Sequence, residues 1–137
     1  MSGQLLKQIV RHEGSKNRMY LDSEGIRTIG VGHNLETMPI SDRAVMVILE
    51  DDIEIAIMDL NRAFPWVKHL DEVRRDVLIN MAFNMGISTL KEFERMLAAI
   101  QANNFQLAAA EMLDSKWARQ VGSRAYELAD QMRTGQY

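Results

Sequence analysis

Cysteine is absent from the sequence. That excludes disulfide cross-links and thiolate metal sites. Long hydrophobic runs are missing too, and nothing approaches the roughly 18 apolar residues of a membrane span. There is no basic excess. The formal net charge is −3, which argues against a general nucleic-acid binder. The N-terminal stretch has no basic flank, apolar run or cleavage site, so no secretory signal is expected. Repeats, low-complexity segments and long linkers are also lacking. What remains is 137 residues, 47% hydrophobic and 26% charged, an ordinary globular balance with enough chain for one domain and a real core.

The charge is uneven. Residues 36–59 carry seven acidic side chains against Arg43 alone, which reads as a solvated helix face. Residues 1–33 and 115–137 are mildly basic, as a site for an anionic polymer would be.

Leu5, Leu6, Ile9 and Val10 recur at helical spacing and predict a first helix over 3–13, ended by Gly14. Residues 18–33 then read as a hairpin with a Gly-containing turn at Asp22-Ser23-Glu24-Gly25. Ser41 is an N-cap for a long helix to about Arg62, which Pro65 breaks. Asp71 caps a helix that Gly86 ends. Ser88 or Thr89 starts another, with Leu90, Phe93, Leu97 and Ile100 on one side, interrupted at Asn103-Asn104. Short helices follow around Phe105–Leu113, Ser115–Arg119 and Ser123–Thr134.

The chemistry concentrates in His12-Glu13-Gly14 and in Asp22-Ser23-Glu24-Gly25-Ile26-Arg27-Thr28-Ile29-Gly30-Val31-Gly32-His33. One carboxylate ends an apolar helix and another sits beside a tight turn. A threonine lies on the strand leaving that turn. Two carboxylates in unlike surroundings are what glycoside hydrolysis needs. Glu13 follows Ile9 by four, so an apolar face lies near it and favours the protonated carboxyl of a general acid. Asp22 alone reads as a turn residue capping local N–H groups. Beside Glu13 and Thr28 it becomes the ionised partner. Thr28 alone is an ordinary strand threonine. Glu24 is a rival carboxylate expected in solvent. His33 is expected to pair with a carboxylate of the acidic helix such as Asp52. Gly30 and Gly32 allow a backbone or ligand to approach.

These motifs resemble the phage-type lysozymes (glycoside hydrolase family twenty-four, the T-even phage lysozyme-like endolysins). The resemblance covers nearly the whole chain. It extends to Asp71-Glu-Val-Arg-Arg-Asp-Val-Leu-Ile-Asn-Met-Ala-Phe-Asn-Met-Gly86, Ser115-Lys-Trp117 and Arg133-Thr-Gly135. It implies an α+β, mainly helical lysozyme-like fold. A hairpin lobe (about 14–40) would be joined by a helix (about 41–62) to a helical lobe (about 63–137 with helix 3–13), with a cleft between. It implies Glu13, Asp22 and Thr28 as catalytic residues, Thr28 helping to hold the attacking water. Asn34, Phe83 and Arg124 would contact substrate. Arg124 also reads as a plain surface arginine on the last helix, and Trp117 as core.

The implied activity is cleavage of the bond between N-acetylmuramic acid and N-acetylglucosamine in peptidoglycan, with no metal or organic cofactor. The expected partner is the glycan strand, with no nucleic acid and no stable membrane association, and the chain is expected to be a monomer. An endolysin held in the host cytoplasm until a separate pore-forming protein releases it is the first reading. A virion-associated lysozyme and a catalytically silent wall-binding module are the alternatives. The chain departs from the family in a short segment from Asn34 to Ser41, in Met96 and Glu111 where members carry small polar substrate contacts, and in its acidic charge.

Overall fold

The computed structural model describes residues 1–137. Its contacts divide the chain into two compact units, Met1–Met46 and Val47–Tyr137. The expected α+β class is found, with eight helices and one small sheet.

In the first unit, α1 (Gly3–Glu13) starts at Ser2, whose side chain accepts from Leu5 N. It stops at Gly14, where φ of +76° is easy only for glycine. This unit groups α1 with the hairpin, whereas the sequence reading placed helix 3–13 with the helical lobe. Strands β1 (Lys16–Leu21), β2 (Arg27–Gly30) and β3 (His33–Asn34) form an antiparallel sheet in that order. The predicted hairpin therefore gains a third, two-residue strand. Tyr20 pairs with Thr28, and Thr28 with Asn34. A bulge between Lys16 and Tyr20 shifts the register of β1. Helix α2 (Asp42–Ala63) follows, its first turn capped by Ser41 Oγ accepting from Ala44 N. It runs into the second unit.

A 3-10 turn (Pro65–His69) leads there to α3 (Glu72–Met85), α4 (Ile87–Leu90), α5 (Glu94–Gln101), α6 (Phe105–Leu113), α7 (Lys116–Val121) and α8 (Ser123–Thr134). Asp71, Asn104 and Ser115 each cap a helix by accepting a backbone N–H three residues on. The single helix expected from Ser88 to Ile100 is two helices. Between them, Glu92 N and Phe93 N donate only three residues back, to Thr89 O and Leu90 O. The tightened backbone brings Phe93 edge-on to Trp117, with ring centroids 6.2 Å apart.

Every buried apolar side chain lies in the second unit. The fully buried set includes Leu60, Val67, Val77, Leu78, Leu90 and Ile100 together with Met81, Met96, Met112 and Met132. Unbranched thioethers thus fill much of the space between α3, α5, α6 and α8. Trp117 belongs to this core, as expected, and its Nε1–H donates to Asn84 Oδ1 at 2.8 Å.

Candidate active site

Helix α1 ends on Glu13, and the bare backbone of Gly32 lets the Glu13 side chain lie against the turn between β2 and β3. A Cβ on Gly32 would meet Glu13 Oε2 at 3.1 Å and Cδ at 3.3 Å. The group that approaches this glycine is the chain's own carboxylate. Glu13 is exposed and makes no hydrogen bond or ion pair within the chain. The apolar surroundings expected for it are not found. Leu5, Leu6, Ile9 and Val10 form a stripe on α1 as predicted, but each is 42–50% exposed. Helical spacing fixes where a face points and not what meets it.

Asp22 sits just past β1, half-buried. Its Oδ1 accepts from Glu24 N at 2.8 Å and from Ile26 N at 2.9 Å. The turn closes through Gly25 N to Asp22 O and Asp22 N to Ile26 O, both 3.0 Å. The capping role of a turn aspartate is therefore real, and it uses one carboxylate oxygen. Oδ2 has no partner in the chain. Thr28 is the only buried residue of the first unit. Its hydroxyl donates to Ile26 O at 2.8 Å, so its lone pairs stay available to accept. The peptide groups of Ile26 thus tie Asp22 and Thr28 together. Sequence reasoning missed this link, because a backbone carbonyl carries no residue-type signal.

The rival groups are occupied or remote from such a role. Glu24 lies exposed at the turn tip, as expected. His33 does not pair with Asp52. Its Nε2 lies 3.1 Å from Met38 O in the loop that follows it, which satisfies the ring locally. Asn34 uses its Oδ1 to accept from Glu36 N and Thr37 N, so it caps a turn. Its amide nitrogen is left over for a ligand. No three histidine, aspartate or glutamate side chains converge as metal ligands would.

Phe83 and Arg124 come together in the second unit. They line a cavity of about 530 Å3 that also includes Ile53, Ile79, Asn80 and Tyr137. Arg124 donates to Asn80 Oδ1 from Nη2 at 2.6 Å and from Nε at 3.2 Å, so it is a positioned group and not a free surface arginine. The Tyr137 hydroxyl donates to Asp76 Oδ2. That bond, helped by desolvation and by the Asp76 and Glu72 charges, pushes the phenol up to about 12. Asp76, Asn80 and Tyr137 were missed, although 76, 79, 80 and 83 share a helical face. Met96 is core, while Glu111 is half-buried. Both border a separate cavity of about 600 Å3 against Trp117.

Residues 10–133 match the family model described as phage lysozyme. The chain belongs to the phage lysozyme family. Among its relatives, a probable T4-type lysozyme of Dictyostelium discoideum is 26% identical over 160 residues, covering 95% of this chain and 94% of that protein. The endolysin of Salmonella phage P22 is 30% identical over 119 residues, 79% of this chain and 77% of the relative. The pre-baseplate central spike protein of Enterobacteria phage T4 is 26% identical over 159 residues, 96% of this chain but 28% of that longer protein. A phage lysozyme is a glycoside hydrolase acting on peptidoglycan, and the helical protein with one small antiparallel sheet described above has that fold.

Proposed function

We propose that Glu13, Asp22 and Thr28 are the catalytic set of a muramidase that cleaves the β-1,4 bond between N-acetylmuramic acid and N-acetylglucosamine. The observation that carries this reading is that α1 delivers the Glu13 carboxylate onto Gly32 of the sheet segment that also fixes Asp22 and Thr28. Glu13 is the proposed general acid for the departing glycosidic oxygen, and no hydrogen bond or ion pair within the chain occupies its carboxyl. Asp22 keeps Oδ2 open to face positive charge on the sugar ring or to orient a water. Thr28, its own proton committed to Ile26 O, accepts from that water. A water-placing threonine suits single displacement with inversion, which calls for carboxyls roughly 6.5–9.5 Å apart.

Purified wall sacculi provide the test. Glu13→Gln is expected to slow clearing about 10²–10⁴-fold while leaving the circular dichroism spectrum unchanged. A clearing rate above half that of the unaltered protein would remove Glu13 from the role. NMR of the first-formed reducing sugar is expected to show the α-anomer. A retained β-anomer makes Asp22 the nucleophile instead.

Asn34, Phe83 and Arg124 are proposed substrate contacts. The protein acts as a monomeric endolysin without lasting membrane association, kept in the host cytoplasm until a separate pore-forming protein releases it. No helix is long and apolar enough to cross a membrane. The spike relative favours a second reading, a lysozyme carried in the virion. Mass spectrometry of purified virions separates the two, because an endolysin is absent from them.

A further inference from the structure

A small cavity of about 310 Å3 in the second unit is lined by Trp66, His69, Leu70, Ile100, Gln101 and Asn103. It shares no residue with the cavity that holds Phe83 and Arg124. Three features mark it. The first is its polar lining. Trp66 and His69 are three residues apart on the 3-10 turn, whose three residues per turn set them on one side. Neither side chain has a hydrogen-bond partner in the chain, and the same is true of Gln101 and Asn103. The adjacent Asn104, by contrast, commits its carboxamide to Leu107 N at 3.1 Å.

The second feature is the floor. Ile100 is fully buried and Leu70 is half-buried, while Trp66 leans on Phe64 with centroids 5.7 Å apart. The indole is thereby braced by the core. The third is Asn103 itself, the one non-glycine residue with positive φ, at +57°. Its N–H and that of Asn104 close the end of α5 on Ile100 O and Ala99 O. Glycine fits that backbone more easily. Asparagine keeps the same conformation and adds a carboxamide at the cavity rim.

We infer that this cavity is a non-catalytic subsite for an uncharged N-acetylated sugar. The volume is at the lower end of the about 300–1,000 Å3 of small-molecule sites and suits one pyranose ring. A pyranose has an apolar C–H face, which packs on indole, and a rim of hydroxyls, which exchange hydrogen bonds with amides and imidazole. The acetamido methyl meets Leu70, behind which Ile100 closes the core. No Asp, Glu, Lys or Arg lines the cavity, so nothing in it selects a charged ligand. The choice of a wall sugar rests on the muramidase reading. The site holds the protein on glycan without taking part in bond cleavage.

The two tryptophans give a built-in reporter and control. The full chain carrying Glu13→Gln is titrated with N-acetylglucosamine trimer and followed at the indole N–H resonances. The Trp66 resonance is expected to move saturably, while that of Trp117, bonded to Asn84, stays. Asn103→Gly suits the positive φ and so keeps the fold. It is expected to weaken the Trp66 response about three- to tenfold, the net worth of one or two hydrogen bonds. In the otherwise unaltered protein it is expected to slow clearing of whole sacculi but not cleavage of short soluble fragments.

A Trp66 resonance that stays fixed at millimolar trimer overturns the subsite. So does an equal response from Asn103→Gly, or a response to free stem peptide in place of trimer. Failure of the unaltered protein to clear sacculi would count against the muramidase reading alone, since the indole titration does not depend on turnover.

Discussion

Gly32 lets Glu13 come close. Its φ is +67°, and a Cβ there would stand only 3.1 Å from the carboxylate. Gly32→Ala imposes both a left-handed backbone on alanine and a 3.1 Å contact with Oε2. The expected outcome is a loss of about 1–3 kcal/mol in stability and a fall in wall clearing of ten-fold or more, out of proportion to the Tm change. Gly30→Ala has a similar φ of +67° but open space around its Cβ, so it is the control for strain alone. Tyr137 carries the other residue-scale prediction. Its phenol is raised from 10.0 to about 12 mainly by the bond to Asp76. A raised acid favours the folded state below its unfolded pKa, and that contribution is lost as pH climbs from about 10 through 12. Spectrophotometric titration of Tyr137→Phe should lack the component that ionises near pH 12. At this scale the sequence was legible for types and caps. Gly14 and the Asp22 turn were read from their own chemistry. Gly32 was read as a close-approach glycine without its partner, because the partner lies nineteen positions away on another element.

Helix ends show how far local rules reach. Ser2, Ser41, Asp71 and Gly86 act where their side chains, or lack of one, demanded. The end of α8 is different, because a residue 58 positions earlier satisfies it. Arg74 donates from Nε to Met132 O at 2.6 Å and from Nη2 to Arg133 O at 3.1 Å. The same guanidinium pairs with Asp71 at 3.1 Å and stacks 3.7 Å from the Phe105 ring centroid. Nothing in the order of residues announces that cap. Arg74→Lys keeps the charge and loses the planar fork, so two carbonyls and the stacked face go unserved. Calorimetry should find a loss of about 1–3 kcal/mol, with Arg74→Met no better. An unchanged Tm in Arg74→Lys would show that charge alone holds the α8 end. The break between α4 and α5 was invisible in the same way. Leu90, Phe93, Leu97 and Ile100 satisfy a helical period, and the edge-on contact that Phe93 makes at the break is with Trp117, far along the chain.

The whole molecule carries a net −3 and its proposed substrate is an anionic wall. Like charges repel over the Debye length, about 10 Å at 0.1 M salt. Clearing rates should therefore rise, or hold, as salt goes from about 0.01 to 0.1 M, where a basic lysozyme would slow. A steep fall would mean that the mildly basic segments 1–33 and 115–137 outweigh the total. Charge balance and class were readable from composition, whereas the concentration of every buried apolar side chain in Val47–Tyr137 was not, since amphipathic stripes occur in both units. That core has a further consequence. In a chain without cysteine, methionine is the only sulfur, and its ten copies are sorted by depth. Met1, Met19, Met38, Met46 and Met58 face solvent, Met81, Met96, Met112 and Met132 are sealed, and Met85 is half-buried. Mild peroxide will reach the first group in the folded protein as harmless sulfoxides. It reaches the second only when the interior opens, and each sulfoxide formed there makes reclosing harder. Oxidant exposure therefore acts on this molecule as a ratchet, in which brief openings accumulate as permanent chemical marks.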